Sequence, residues 1–235
     1  LPLVIFFIRD RPEAVGLTGE GGAPGAASAA AVAAPDWHTR AVLSSRTFQL
    51  IVLAFLPFAM AFGAAQQNLG PYAADQGLVA SSAATLISVL ALTMVFAKIA
   101  FGACADRVDH RWLFLAALAF CAVALAQMGM TLSYRRLLLV SACLGVAAGG
   151  FLPLLGAVVS ARFGVGAFGR VMGLVGPFTT LAAIGPWLAA RLRDSNGSYD
   201  AAWPLMLGLL VLSAIAIVFL PGAQATRERH PAPQP

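Results

Sequence analysis

The 235-residue chain is 60% apolar and only 11% charged, with a mean hydropathy of +0.83 and a formal net charge of +5. A soluble domain carries roughly 25% charged residues, so a water-facing globule of this size would lack the polar surface to stay dispersed. Its basic residues are scattered over connecting segments rather than gathered in a patch, which argues for membrane orientation and against a nucleic-acid partner.

Residues 1–8 form an apolar stub, closed by Arg9-Asp10-Arg11-Pro12. Eight residues cannot span a bilayer, and the stub lacks the basic start and small-residue cleavage site of a signal peptide. It reads as the end of a preceding transmembrane helix in a longer protein. Residues 9–46 read as a hydrophilic linker with a Gly-, Ala- and Pro-rich middle. Within it, residues 37–45 read either as a short interfacial helix capped by Asp36 or as a plain loop.

Residues 47–221 then read as a six-helix transmembrane unit, because apolar runs of about 20 residues recur there. The expected spans are 48–69, 81–103, 112–131, 137–161, 171–192 and 203–220. The connections include a Pro71-containing loop over 70–78, a charged turn over 102–111, a tight turn over 133–136 and a Gly-rich segment over 162–170. Asn196-Gly197-Ser198 reads as a turn, and residues 222–235 as a disordered tail. Most arginines near span ends fall on the side of the linker, the 102–111 turn and the tail, which makes that side cytoplasmic. Arg135 and Arg136 run against the rule.

Spans in lipid associate by close packing, which small residues permit; Gly145-x-x-x-Gly149 fits that role. Gly149 with Pro153, Pro177, and Gly185 with Pro186 are expected to kink their spans. Such breaks survive where neighbouring helices or a watery cavity satisfy the freed carbonyls. Cys104, Cys121 and Cys143 show no metal-ligand or redox spacing and read as small buried hydrophobes. No metal or other cofactor is expected, and nothing in the pattern suggests an enzyme.

Lys98 is a lone cation within an apolar span, about 10 Å from the cytoplasmic end at 1.5 Å per residue. One reading lets its ammonium snorkel to the interface. In the other it contacts an anion, because helical side chains tilt toward the N-terminal, outer end and its face carries Ala84, Ala91, Gly102 and Ala105. Gln66, Gln67 and Asn68 are candidates for lining an outer cavity. Gly102, Asp106, Arg107 and Arg111 form the turn, which reads either as a plain positive-inside loop or as a latch whose contacts exist in one conformation.

At these residues the chain resembles the major facilitator superfamily. The G-x-x-x-D-R-x-x-x-R turn from Gly102 to Arg111 resembles the loop recurring between the second and third helices of each six-helix half. Arg9 to Leu17 resembles the start of the central cytoplasmic loop. Phe168 to Gly173, then Gly185-Pro186 and Gly197-Ser198-Tyr199, resemble the eleventh span and its following loop. The resemblance implies an all-α membrane protein, one half of a twelve-helix fold, whose N-terminal six-helix half is a missing partner. Lys98, four residues before Gly102, resembles the helix-eight arginine of monocarboxylate and oxalate/formate porters, which binds substrate carboxylate. A lysine offers a point charge rather than a bidentate fork. Met94 stands where the monocarboxylate porters carry an Asp, and the fifth span lacks the second cation of the oxalate type.

The expectation is therefore a secondary transporter half moving a small organic anion such as a monocarboxylate by alternating access, in a bacterial inner (plasma) membrane. The alternatives are an exporter of neutral or cationic compounds, with Lys98 structural, and a non-transporting six-helix remnant or sensor.

Overall fold

The computed structural model describes residues 38–105, 107–130 and 133–220. The stub over 1–8, nearly all of the linker, Asp106 and the tail lie outside these residues. Among the described residues the chain forms helices only. These are α1 (Thr39–Ser44), α2 (Arg46–Asp75), α3 (Ala80–Ala105), α4 (His110–Met128), α5 (Tyr134–Phe163), α6 (Val165–Leu181), α7 (Ile184–Asn196) and α8 (Ala202–Val218). Five stretches are long and apolar enough to cross a membrane: α2, α3, α4, α5, and α6 with α7 taken together. The apolar helix α8 is shorter, at 17 residues.

Local chemistry sets several helix ends. The Ser45 hydroxyl accepts from the Phe48 amide at 3.2 Å to start α2, and Asp109 accepts from the Arg111 amide at 2.8 Å to start α4. Gly164, at φ 78°, turns α5 directly into α6, so the expected connection over 162–170 shrinks to one residue that only glycine fits easily. Gly197, at φ 75°, closes α7 as a left-handed cap, which makes the 196–198 segment a turn as expected. Of the short helix expected over 37–45, the described residues show α1, Thr39–Ser44, and its expected cap Asp36 lies outside them.

The expected loop over 70–78 is not observed: α2 continues through Gly70 and Pro71 to Asp75. Tertiary burial overrides the local signal. Tyr72 is buried, gives its hydroxyl proton to the Met128 carbonyl at 2.6 Å, and packs edge-on to Tyr199 and Trp203.

α2 touches every other helix, and α5 packs on α2, α3, α4 and α6, most extensively on α3. The α5 glycines face α3. A Cβ on Gly145 would collide with the Thr93 side chain and the Leu90 carbonyl. One on Gly149 would lie 2.5 Å from Ala97 Cβ, 2.7 Å from the Met94 carbonyl oxygen and 2.9 Å from the Lys98 backbone nitrogen. Gly149 is thus a packing residue of the α3–α5 seam. The core beside this seam is an aromatic box. Phe55 and Phe58 of α2 meet Phe114 of α4 and Phe151 of α5 at centroid separations of 4.6–5.8 Å, in the tilted and edge-on arrangements that aromatic quadrupoles favour.

α3 covers the bundle with one flank only. Ile87, Leu92, Val95, Phe96 and Ile99 are exposed, as a lipid-facing helix requires. The same geometry corrects the cysteine expectation: Cys121 is buried, Cys143 partly buried and Cys104 exposed.

Gly149→Ala is expected to destabilise the bundle by about 1–3 kcal/mol through overpacking. Gly208→Ala in α8, where an added Cβ meets nothing within 4 Å, is expected to be neutral or slightly stabilising. Chemical unfolding in mixed detergent micelles, followed by far-UV circular dichroism, measures both; a Gly149→Ala curve that superimposes on wild type contradicts the close seam.

Candidate functional site

One cavity of about 500 Å³ lies where α2, α3 and α5 meet the break between α6 and α7. α2 contributes Ala59, Phe62, Gly63, Gln66 and Gln67, and α5 contributes Ala148, Phe151 and Leu152. Both sets recur at three- and four-residue spacing, which puts each on one helical face. Met94 and Lys98, one turn apart on α3, supply the wall that carries the cation. The rest comes from Thr179, Thr180, Ala182, Ala183 and Pro186.

The close α3–α5 seam fixes Lys98 at this wall, since Gly149 packs against the backbone from Met94 to Lys98. Lys98 is exposed, and among the described residues it makes no ion pair or hydrogen bond. Its ammonium is therefore available to a solute in the cavity. Thr179 donates to the Gly176 carbonyl at 2.7 Å and Thr180 to the same carbonyl at 3.3 Å. With those protons committed, the two hydroxyls offer acceptor lone pairs to anything beside them.

Another part of the lining is an interruption in α-helical hydrogen bonding, at Ala182 and Ala183, which stay right-handed. α6 ends at Leu181 and α7 begins at Ile184. Pro186 has no N–H for the Ala182 carbonyl four residues back, and the Gly185 amide bonds that carbonyl instead at 3.0 Å. Gly185 also lies against the Met60 backbone, leaving no room for a Cβ. Near the kink expected at Gly185-Pro186, the helix is interrupted three residues earlier, at Ala182-Ala183. Pro153 and Pro177, by contrast, sit inside the continuous helices α5 and α6.

The other expected residues fall elsewhere. Asn68 follows Gln67 but is rotated 100° away from the cavity face. It is 6% exposed and engaged by the Ala64 and Pro186 carbonyls and the Tyr199 hydroxyl. Burial raises the Tyr199 hydroxyl above its usual range, so it stays protonated as the donor to Asn68 Oδ1. In the charged turn, Arg107 is exposed, and Arg111 reaches the Leu220 carbonyl beyond the end of α8, a favourable place for a cation. A Cβ on Gly102 would meet nothing within 4 Å. Thr179 and Thr180 were not anticipated; their one signal in the sequence is their position shortly before Gly185-Pro186.

The Major Facilitator Superfamily model matches residues 69–235, well over half of the chain. The chain belongs to this superfamily. Relatives include mouse Monocarboxylate transporter 11, 28% identical over 66% of this chain and 37% of its own length. Rat Monocarboxylate transporter 2 is 30% identical over 62% of this chain and 31% of its own length. Human Monocarboxylate transporter 11 is 30% identical over 66% of this chain and 35% of its own length. The chain thus spans about a third of the length of these curated relatives. Membership makes it an integral membrane protein of a transporter family, and not an enzyme.

In a background with the three native cysteines replaced by serine or alanine, Gln67→Cys and Lys98→Cys are expected to react with a membrane-impermeant maleimide in detergent. Asn68→Cys is expected to react at least about tenfold more slowly, since burial excludes the reagent. Mass spectrometry of the labelled protein measures the rates, and equal labelling at 67 and 68 contradicts the assigned faces.

Proposed function

We propose that this chain forms the C-terminal part of a secondary active transporter for a small monocarboxylate, with Lys98 as the contact for the substrate carboxylate. The observation that carries the reading is the convergence of Lys98, Gln66 and Gln67 on one cavity that the interruption between α6 and α7 also lines. A cation inside a membrane protein is costly and calls for a partner. A carboxylate arriving from water supplies that partner, and the glutamine amides add hydrogen bonds without adding charge. A single cation suits one carboxylate better than two. The names of the relatives point to the same solute class.

In this reading α2 to α8 make six crossings, with α6 and α7 forming one interrupted span. A preceding six-helix half completes the cavity from the other side. Alternating access would then use the interruption as the place where the wall bends. The Gly102–Arg111 turn, with Asp106, Arg107 and Arg111, would hold the cytoplasmic ends together in one of the two states.

Uptake of labelled monocarboxylates into proteoliposomes by the intact protein tests this. Loss of a charge-assisted hydrogen bond predicts that Lys98→Ala lowers uptake by about ten- to hundredfold at equal protein content. Lys98→Arg keeps a measurable part, because the charge remains. Normal uptake by Lys98→Ala makes Lys98 a snorkelling anchor. If wild type moves neutral or cationic solutes and no carboxylate, the exporter reading replaces this one.

A further inference from the structure

Asn68 stands outside the cavity but touches its wall. Its amide nitrogen donates to the Ala64 carbonyl of its own helix at 2.9 Å and to the Pro186 carbonyl, in the first turn of α7, at 3.3 Å. Its amide oxygen accepts from the Tyr199 hydroxyl, in the loop after α7, at 3.1 Å. The start of α7 and the loop beyond it therefore converge on one buried α2 side chain. Tyr199 is held in turn by stacking on Trp203 of α8, with centroids 5.1 Å apart and planes at 15°.

Three more contacts run along the same seam. Gly185 packs on the Met60 backbone. Gly63 faces the Pro186 ring, with 3.4 Å between a built Cβ and Pro186 Cγ. Farther along, Arg193 makes a bidentate pair with Asp75, at 3.0 and 2.6 Å. α7 is thus fastened to α2 at both of its ends by directional bonds. α6 meets α2 through apolar contact such as Phe48 on Phe178, 6.0 Å apart, which slides more readily than a hydrogen bond.

We propose that Asn68 is a positioning residue: with Tyr199 it straps α7 to α2, so that the break at Ala182 and Ala183 bends by moving α6 while α7 stays with α2. The role in turnover rests on the transporter reading above; the strap itself does not. An asparagine suits the post because one amide donates to a carbonyl and accepts from a hydroxyl at once. Aspartate would keep the acceptor and lose the donors, and leucine would lose both.

The test is hydrogen–deuterium exchange on the intact protein in nanodiscs, together with uptake kinetics, for Asn68→Leu, Tyr199→Phe and the double variant. Tyr199→Phe keeps the stack on Trp203 and guards against a general folding defect in Asn68→Leu. Exchange over residues 184–192 is expected to rise about five- to tenfold in each single variant, the scale of one lost net hydrogen bond. The double variant is expected to rise no further than Asn68→Leu, because the two residues act as one unit. Turnover falls severalfold while half-saturation stays within about twofold, since the bending step and not the carboxylate contact is altered. Unchanged exchange over 184–192 in Tyr199→Phe overturns the proposal, as does a rise of the same size across α4. If wild type moves no carboxylate but the exchange pattern holds, the strap stands and the anion reading falls.

Discussion

The arrangement depends on how closely the backbones of α3 and α5 approach. In lipid no hydrophobic gain draws helices together, because the tails they displace are as apolar as leucine. Contact must come from van der Waals packing at short range. Gly145 and Gly149 allow this by presenting bare backbone to Leu90, Thr93, Met94 and Ala97. The register of that seam then decides which α3 residues face inward. Met94 and Lys98 fall on the cavity flank, while Phe96 and Ile99 are left exposed outside it. The position of the one cation in the span is therefore a consequence of two missing side chains on a neighbouring helix.

A second constraint comes from the break between α6 and α7. Backbone groups inside a membrane must find partners within the protein or in a cavity. Here the partners are local, with the Gly185 amide bonding the Ala182 carbonyl, and tertiary, with Asn68 bonding the Pro186 carbonyl. The interruption is thereby tolerated beside a cavity large enough for a small solute. Its lining carries the Lys98 charge, the amides of Gln66 and Gln67 and the hydroxyls of Thr179 and Thr180, and aromatic and small apolar side chains fill the remainder. Such a site suits a small anion with an apolar body, which is the proposed substrate class.

Much of this was legible in the sequence, and the failures are instructive. Lys98 was readable because a charge inside an apolar run is rare and costly, and the packing role of Gly145 and Gly149 because their spacing leaves few other uses. Gln66, Gln67 and Asn68 looked alike as three consecutive amides. Helical rotation sends the third away from the first two, and only knowledge of which face meets the cavity tells them apart. Pro71 looked like a loop because proline is a local helix breaker. The burial of Tyr72 against Met128, Tyr199 and Trp203 outweighs that preference, and no local pattern encodes it.

What the sequence determined by itself is the membrane setting, the helical class, the approximate spans and the superfamily, since these follow from apolar run length, scarce charge and ordered short motifs. What the tertiary structure alone decided is which residues share a cavity, where the stretch from α6 to α7 is interrupted, and that Asn68 bonds α7 rather than facing the cavity. Those depend on the rotation of each helix about its axis and on the depth at which pairs interlock. Such quantities are set by contacts between residues more than a hundred positions apart, such as Asn68 with Pro186 and Asp75 with Arg193. The one-dimensional pattern holds the ingredients of those contacts but not their pairing.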